Sequence, residues 1–394
     1  MNNISIIGKR CSGCRACSQS CGVKAISFHE DSEGFMQPVV DETLCVECGK
    51  CLQACPVNTV TVFDYPKTGY AAKAKDLEDL RKGSSGGLFY AMAKIIIQAG
   101  GVVCGCGNDE NLMPKHYVAT TLEEAKKMRG SKYVQSDMND IFTQVKYYLK
   151  NGVKVLFTGV PCQVAGLRNY LGKDYPNLYC IDIICHGVPS GKLYSSYLQW
   201  LEKKWGGKVT KIEFRSKKRH EWSLTLNVHT KKDNCGEKEH LMIGSLDPFY
   251  HNFLQGNTYR ESCYTCPYSQ EKRVGDVTIG DFWGVENTHP ELFDIHGLSC
   301  ALVNSNRGHE LWNMISQEIE FEEVKPSDII NYNGNLREPT KRSGVRDKIY
   351  KIVEEKGFDA IPYDISARSR IIDSIKNVIP NRIRYAVKKI IRGK

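Results

Sequence analysis

No stretch of the 394-residue sequence approaches the roughly 18 consecutive apolar residues that a membrane-spanning helix requires. The first ten residues also lack a basic segment followed by an apolar one, which is the pattern of an export signal. The composition is not biased towards disorder, because 41% of the residues are hydrophobic and 25% are charged. We therefore expect a folded cytoplasmic protein whose mature chain begins at Met1.

Acidic residues are almost missing from residues 366–394, which hold nine Lys or Arg against one Asp. This segment carries +8 of the formal net charge of +9, so the rest of the chain is nearly neutral. Its isoleucines and valines recur at helical spacing around Pro380, which predicts an interrupted amphipathic helix. An apolar face beside such charge indicates peripheral contact with an anionic membrane surface or with an acidic partner. Without a recognisable reading motif, we expect no nucleic-acid partner.

Cysteine is abundant, but the 17 cysteines do not suggest a disulfide framework, because the chain is large and has no export signal. Eight of them form two runs of C-x2-C-x2-C-x3-C, and each cysteine of the first run recurs 34 residues later in the second. The apolar residues after the first run, Val23, Ile26 and Phe28, match Val57, Val60 and Val62 after the second. We expect two copies of one unit, each leading into a short β-like segment and packed face to face.

The spacing of the two runs is typical of 4Fe–4S clusters, in which three cysteines of a run bind one cube and the fourth binds the cube of the other run. The first predicted cluster is bound by Cys11, Cys14, Cys17 and Cys55, and the second by Cys45, Cys48, Cys51 and Cys21. Cys55 precedes a proline, as in bacterial ferredoxins, whereas Cys21 precedes a glycine. Structural zinc is the alternative, since it also uses C-x2-C pairs, but two triple runs favour iron and sulphide.

The remaining sequence predicts a mixed body. Helices are expected at Leu88–Gln98, 122–128, 137–150, 163–171 and 190–204, with strands at 102–104, 153–158 and 178–184 between them. Further strands are expected at 209–215, 223–230, 277–279 and 300–304, a helix at 307–317, and loops around 231–247 and 255–276. The fold class is therefore α+β: a bacterial-ferredoxin-like module at 1–64, a body at 65–340 with parts of about 65–170 and 171–340, and a basic helical extension at 341–394.

Six separated motifs mark the body. They are Gly-Ser-Ser-Gly-Gly at 83–87, Gly-Ser-Lys-Tyr-Val-Gln-Ser at 130–136, Gly-Val-Pro-Cys-Gln at 159–163, Cys-His-Gly-Val-Pro-Ser at 185–190, Cys-Tyr-Thr-Cys at 263–266 and Gly-Asp-Phe-Trp-Gly at 280–284. Together and in this order they resemble the family of coenzyme F420 hydrogenase/dehydrogenase beta subunits over roughly residues 70–340. The resemblance implies a flavin- and iron–sulphur-binding body, in which FAD joins one-electron clusters to two-electron chemistry.

The resemblance also assigns site residues. Ser84, Ser85, Gly86 and Gly87 would meet a flavin phosphate at the start of a helix, where backbone N–H groups face an anion. A plain helix cap with glycine turns is the alternative. Lys132 and Ser136 would be further flavin contacts.

A third 4Fe–4S cluster is implied by the same resemblance, with Cys162, Cys185, Cys263 and Cys266 as its ligands. Buried structural thiols, or half of a zinc knuckle for the last two, are the alternatives.

Four other features of the body leave two interpretations each. Asp281 would hold flavin or substrate, or cap a turn. His186 would move protons near the flavin, or support a ligand by hydrogen bonding. The basic segment 215–219 indicates an anionic ligand or, more commonly, a solvated hairpin. Cys104 and Cys106 could be metal ligands, but the strand before them favours buried structural thiols.

The expected function is that of an oxidoreductase. Single electrons from a ferredoxin-like or other redox protein would pass through the clusters to FAD, which would reduce an unknown small-molecule substrate, or oxidise it in reverse. The alternatives are a non-catalytic electron-transfer subunit that serves a separate enzyme, which could belong to polysaccharide biosynthesis, and a zinc-stabilised binding protein. Use of coenzyme F420 stays open, because no residue identifies a deazaflavin pocket.

Overall fold

The computed structural model describes residues 2–218, 221–232 and 236–362, together with the single residues 371, 375, 379 and 383. The predicted basic amphipathic helix at 366–394 therefore lies outside the described residues, apart from those four positions. None of the described helices combines the length and apolarity that crossing a bilayer requires.

The N-terminal module is small and built around its cysteines. A 3-10 helix at Ile4–Arg10 precedes helix α1 at Ala16–Gln19, strands β1 at Ile26–Glu30 and β2 at Met36–Val40, and helix α2 at Lys50–Ala54. The two strands form an antiparallel hairpin whose register runs from Ile26 opposite Val40 to Glu30 opposite Met36. Ile4, Ile7 and Ile26 pack against four buried cysteines, so the apolar core of the module surrounds the thiols.

The β-like segment predicted after the first cysteine run is confirmed as β1, but the one predicted after the second run is wrong. Residues 57–62 form no strand. They bind the body instead, because the side-chain amide of Asn169 donates to the carbonyl oxygen of Thr59 at 2.7 Å and Thr61 donates to Asn169 at 3.0 Å. The segment after the second cysteine run therefore contacts the body, whereas the segment after the first run forms a strand within the module.

Eleven further strands are described. They are β3 at Thr68–Ala74, β4 at Val102–Asn108, β5 at Pro114–Ala119, β6 at Val155–Gly159, β7 at Leu178–Ile183, β8 at Lys208–Glu213, β9 at Thr225–Lys231, β10 at Glu237–Ile243, β11 at Val277–Asp281, β12 at Ser299–Val303 and β13 at Ile319–Val324. The strand β10 corrects the expectation of a loop over 231–247, since it pairs with β9 along its whole length.

Eight of these strands form one mixed sheet in the order β13-β3-β12-β11-β7-β6-β4-β5. The four strands β4, β6, β7 and β11 are parallel, and the outer strands pair antiparallel. Residues along β6 alternate between two cores, with Val155 and Phe157 on one face and Leu156 on the other. Because ligands of such sheets bind beyond the carboxyl ends of the parallel strands, this edge is where a site is expected.

Helices cover both faces of the sheet, as the alternation of helical and strand-like segments predicts. They are α3 at Leu77–Lys82, α4 at Leu88–Gln98, α5 at Leu122–Lys126, α6 at Ile141–Lys150, α7 at Pro161–Leu171, α8 at Gly191–Trp205, α9 at Pro248–Leu254, α10 at Val285–Thr288, α11 at Asn306–Ile315, α12 at Pro326–Ile330 and α13 at Arg346–Lys356. The architecture is α+β with a large mixed sheet.

A second, smaller sheet has the order β10-β9-β8 and is antiparallel throughout. It packs with α8, α9 and α13 around an aromatic core that includes Tyr197, Phe249 and Tyr250. Helix α13 lies within the predicted extension 341–394 but packs on α8, and Arg346 at its start pairs with Glu33 of the module. This helix therefore joins the body to the module.

Candidate functional site

The two cysteine runs share a backbone conformation as well as a spacing. Gly13 and Glu47, which lie 34 residues apart, both have a positive φ, at 70° and 50°. Two residues further along each run, Arg15 and Gly49 also have a positive φ, at 60° and 71°. A left-handed backbone is unfavourable for glutamate and arginine and persists where the surrounding structure imposes it. Each run therefore forms the same strained loop, and in the first of them the N–H of Gly13 donates to the sulfur of Cys11 at 3.3 Å.

Four thiols of the predicted first cluster lie together: Cys11, Cys14, Cys17 and Cys55. The pKa of Cys14 is raised to about 12, chiefly by burial, with smaller contributions in the same direction from the neighbouring Cys55 and Cys11. Burial likewise raises the pKa of Cys17, with added contributions from Cys14, Cys11 and Cys55. Such a group resists ionisation unless a cation arrives, because each thiolate would sit beside others in an apolar core. Metal binding would offset that cost.

The four thiols of the predicted second cluster line one small cavity: Cys21, Cys45, Cys48 and Cys51. They differ in exposure, since Cys51 is buried, Cys21 and Cys45 are half-buried, and Cys48 is exposed. The side chain of Asn3 donates to the sulfur of Cys45 at 3.9 Å. In both groups the fourth thiol comes from the other run, which is the crossed arrangement that the spacing predicts.

The third set of thiols is assembled from distant parts of the body. Cys162 lies in the first turn of α7, Cys185 follows β7, and Cys263 lies in a 3-10 helix that Cys266 ends. Burial raises the pKa of Cys162, and Cys266, Cys185, Cys14 and Cys263 each raise it further. The four thiols are therefore neighbours, and Cys14 places the first group next to the third.

Within the described part of the chain, no three His, Cys, Asp or Glu side chains converge on one point as the ligands of a single metal ion do. The ligands of a four-iron cube have a different arrangement, because each thiolate binds its own iron at a separate corner. The donor chemistry of each group, four thiols in an apolar setting, suits such a cube. The ligand assignments themselves stay predictions.

A cavity of about 330 Å³ opens at the carboxyl ends of the parallel strands, and all four thiols of the third set line it. Ser84, Ser85, Gly87, Lys132 and Ser136 line the same cavity. Its volume lies within the range of about 300–1,000 Å³ typical of cofactor and ligand sites. Gly86 does not line it: a Cβ at this position would lie 2.3 Å from the carbonyl oxygen of Ala72, so the glycine lets the loop pack on β3.

The loop at 84–87 is held by its own hydroxyl groups. The Ser84 hydroxyl oxygen accepts the backbone N–H and the hydroxyl of Ser131, both at 2.8 Å, which joins two of the sequence motifs. Ser85 bonds to the hydroxyl of Ser299 at 2.6 Å. Helix α4 then begins at Leu88, and in the described structure no side chain caps its N-terminus. The serines thus shape the loop, and the start of α4 has no side-chain cap.

Lys132 and Ser136 both have protein partners. The Lys132 ammonium donates to four consecutive carbonyl oxygens after α5, the shortest contact being 2.7 Å to Met128, and burial lowers its pKa to about 8. The Ser136 hydroxyl bonds to Nδ1 of His116 at 3.0 Å and accepts from Gln163 at 2.9 Å. Their predicted flavin contacts are not visible in these bonds and stay predictions.

The solvated hairpin considered for the basic segment 215–219 is wrong for Arg215 and Lys217, which are buried. The two terminal guanidinium nitrogens of Arg215 donate to Asp281, each at 2.7 Å, and the indole N–H of Trp222 donates to the same carboxylate at 2.5 Å. Lys217 donates to the carbonyl oxygen of Leu80 at 2.7 Å and to that of Ser85. Asp281 therefore orders protein groups at the cavity wall. The sequence held one signal for this burial: Arg215 and Lys217 stand two residues apart in the segment that continues strand β8.

Two further side chains border the cavity. His186, next to Cys185, lines it, and burial lowers the pKa of the imidazole. Cys106 lines it near Ser136, whereas Cys104 is buried within β4, as expected of a structural thiol.

Comparison with protein-family models identifies both parts of the chain. The N-terminal and C-terminal models of the coenzyme F420 hydrogenase/dehydrogenase beta subunit match residues 69–142 and 152–328. A 4Fe-4S dicluster domain model matches residues 10–59.

Individual relatives agree with these models. One subunit of the F420H2 dehydrogenase of Methanosarcina mazei is 22% identical over 371 residues, covering 89% of this chain and 94% of the relative. The coenzyme F420-dependent sulfite reductase of Methanocaldococcus jannaschii is 26% identical over 190 residues, which are 45% of this chain and 28% of that protein.

Among solved structures, a chain of the F420-reducing NiFe hydrogenase complex from Methanosarcina barkeri aligns with a TM-score of 0.46 and 21% identity, over 69% of this chain and 91% of that one. That score is too low to support a conclusion. The matches of the family models do support one: this iron–sulphur electron-transfer protein belongs to the family of coenzyme F420 hydrogenase/dehydrogenase beta subunits.

Proposed function

We propose that the chain is an iron–sulphur flavoprotein oxidoreductase, in which three 4Fe–4S clusters carry single electrons between a redox partner protein and FAD. The observation that carries this proposal is the shared cavity: the third thiol group and the Ser84–Gly87 loop border the same space. Bound there, FAD would exchange two electrons with an organic substrate, which single-electron clusters cannot do alone.

The arrangement of the thiols supports an ordered path. Cys48 is exposed at the second group, Cys21 and Cys55 tie the second group to the first, and Cys14 neighbours Cys162 of the third group. The third group then opens on the cavity. Electrons would therefore pass from the exposed second cluster through the first and third clusters to the flavin, or return the same way.

The residues of the cavity fit a flavin in chemical type. Apolar side chains such as Leu88, Met128 and Ile181 line it and would exclude water from a ring system. The uncapped N-terminus of α4 would bind a phosphate, with Gly87 allowing close approach of its backbone. Lys217, which holds the carbonyl oxygen of Ser85, would keep that loop in place.

The relatives suggest which class of substrate to test first. The name of the family and the names of two relatives refer to coenzyme F420. A deazaflavin is therefore the first two-electron substrate to test, ahead of other small molecules such as the sugar precursors of polysaccharides.

Anaerobic purification of the full chain tests the proposal directly. We expect about twelve irons, because three cubes contain four each, with matching sulphide and one FAD. Cys162→Ser should lose about four irons, whereas Cys106→Ser, which changes a thiol at the same cavity outside the predicted ligand set, should lose none. Reduced coenzyme F420 added to the oxidised protein should bleach the flavin absorbance.

Other outcomes would redirect the assignment. A brown protein without flavin would replace the oxidoreductase by a non-catalytic electron-transfer subunit. Unchanged iron in Cys162→Ser would refute the third ligand set, and a colourless zinc protein would refute the whole scheme.

A further inference from the structure

One buried arginine differs from the others in what surrounds its charge. Four arginines are almost completely buried in the described structure: Arg215, Arg260, Arg273 and Arg346. Three of them pair with a carboxylate: Arg215 with Asp281, Arg273 with Asp182, and Arg346 with Glu33. For Arg260, no ion pair exists among the described residues. This is unusual, because an uncompensated charge inside a protein is costly.

Every hydrogen bond of the Arg260 guanidinium goes to a neutral group. Its Nε donates to the carbonyl oxygen of Cys11 at 2.5 Å, and Nη1 donates to the amide oxygen of Gln135 at 3.0 Å. Its Nη2 donates to the carbonyl oxygen of Met36 at 2.8 Å and to the amide oxygen of Gln37 at 3.0 Å. The amide nitrogen of Gln37 in turn donates to the Asp31 carboxylate at 3.0 Å.

Arg260 lies between the first and third thiol groups. The carbonyl oxygen of Cys11 accepts hydrogen bonds from Nε of Arg260 and from the hydroxyl of Ser262. Ser262 directly precedes Cys263. Gly13 makes room for this contact, because a Cβ there would lie 2.1 Å from the amide nitrogen of Gln135 and 3.0 Å from Nη1 of Arg260. The guanidinium of Arg260 therefore contacts the loop of the first thiol group. Arg260 also lies three residues before Cys263, a predicted ligand of the third cluster.

We propose that the anionic clusters of the first and third thiol groups are the counter-charge of Arg260, and that this arginine sets their reduction potentials. The inference rests on the proposed function, since it takes both groups to bind 4Fe–4S clusters. A cluster held by four thiolates is anionic and gains a further negative charge on reduction. A buried cation beside it favours the reduced state and therefore raises its potential.

Three variants separate charge from hydrogen bonding. Arg260→Met removes the charge, Arg260→Lys keeps it with fewer hydrogen bonds, and Gln135→Glu leaves Arg260 in place but supplies a carboxylate partner. Each is purified anaerobically, its iron content is measured, and its clusters are titrated by electron paramagnetic resonance at controlled potential.

We expect Arg260→Met and Gln135→Glu to lower the potentials of the same two clusters. At a fixed solution potential the ratio of reduced to oxidised cluster should fall about tenfold, which is about 59 mV for a one-electron couple. Arg260→Lys should stay close to the wild-type value. The second cluster, bound around the exposed Cys48, should be unchanged in every variant and is the internal control.

Unchanged potentials in Gln135→Glu at full iron content would overturn the inference and leave Arg260 a purely structural role; this variant also decides the matter if Arg260→Met fails to assemble. An iron content near eight in the wild type would refute the third cluster of the proposed function. In that case the first cluster alone should shift, so the two failures are distinguishable.

Discussion

At the scale of single residues, buried charges hold the loops around the cavity. The Arg215–Asp281 pair is the clearest case, because the arginine side chain is 3% exposed and the carboxylate 15%. Burial alone would disfavour the charged guanidinium, but the Asp281 carboxylate raises the pKa of Arg215 above its usual value. The indole N–H of Trp222 donates to the same carboxylate. Asp281 is therefore needed by groups on two segments of the chain.

We predict that Asp281→Asn destabilises the protein by about 3 kcal/mol, because removing one partner of a buried pair leaves the other charge uncompensated. Urea unfolding of the anaerobic protein, followed by circular dichroism, measures the loss. Asp359→Asn is the matched control, since its pair with Lys203 is mostly exposed and should be worth less than about 1 kcal/mol. Equal losses in the two variants would contradict the prediction.

The candidate site residues differ in whether the sequence alone could predict them. The eight N-terminal cysteines are recognisable because the ligand spacing is local and repeated. Cys162, Cys185, Cys263 and Cys266 carry no such spacing, so only the family resemblance grouped them before the fold brought them together. Arg260 gave no signal at all, because its burial results from the packing of the module against the body.

At the scale of elements, local periodicity predicted helices α4 to α8 and α11, but not α9, α10 and α12. Helix α4 has the predicted bounds, since its apolar face is encoded within eleven consecutive residues. Strands β3, β5 and β13 were not predicted. The strand β3 contains glycine and alanines, which have low strand propensity, and it exists because β12 and β13 pair with it on both sides. Those partners lie more than 200 residues away in the sequence, so no local pattern could predict the pairing.

Helix α9 offers a test of a buried cap. Asp247 precedes it and accepts the backbone N–H of Tyr250 at 2.8 Å and the hydroxyl of Tyr197 at 2.9 Å. Burial raises the pKa of Asp247 from 3.8 to about 6, although these two bonds and the nearby Lys204 oppose the shift. The folded state therefore binds a proton that the unfolded state releases between these pH values. The resulting stabilisation is complete below about pH 4 and is lost as the pH rises through about 6.

We predict that Asp247→Asn becomes increasingly more stable than the wild type as the pH rises. Asparagine keeps an acceptor for the helix N–H but never ionises, so the difference in free energy of unfolding should grow by up to about 3 kcal/mol between pH 4 and pH 7.5. Urea unfolding at both pH values measures it, and the comparison at pH 4 is the control. A difference that does not change with pH would show that Asp247 titrates as an ordinary exposed carboxyl.

At the scale of the whole molecule, the module is part of the body and not an appendage. Arg260 and Arg346 of the body are buried against it, and Arg15 of the module pairs with Asp137 at 2.7 Å. This packing fixes the order of the thiol groups, with the second group at the surface and the third at the cavity. The surface end should be where a partner protein exchanges electrons with the chain.

The surroundings of Cys48 fit such an exchange. Val46, 66% exposed, and Val23, 45% exposed, border the same thiol group, and Leu44 nearby is 50% exposed. Apolar side chains around an exposed redox centre suit a small protein that carries its own centre close to its surface, since the two must approach closely and exclude water. We take a reduced two-cluster ferredoxin as the probe for this partner.

We predict that Val46→Asp raises the KM for the reduced ferredoxin about tenfold, roughly 1.4 kcal/mol, because a charge would be desolvated in the contact. Reduction of the flavin by methyl viologen should be unchanged, since a small reductant needs no docking surface. Val39→Asp is the matched control: Val39 is 47% exposed on the same module and does not border the second thiol group. If Val39→Asp raised the KM as much, charge on the module in general would be responsible. If neither variant did while methyl viologen still reduced the flavin, the partner would contact another surface and the path through the clusters would stand.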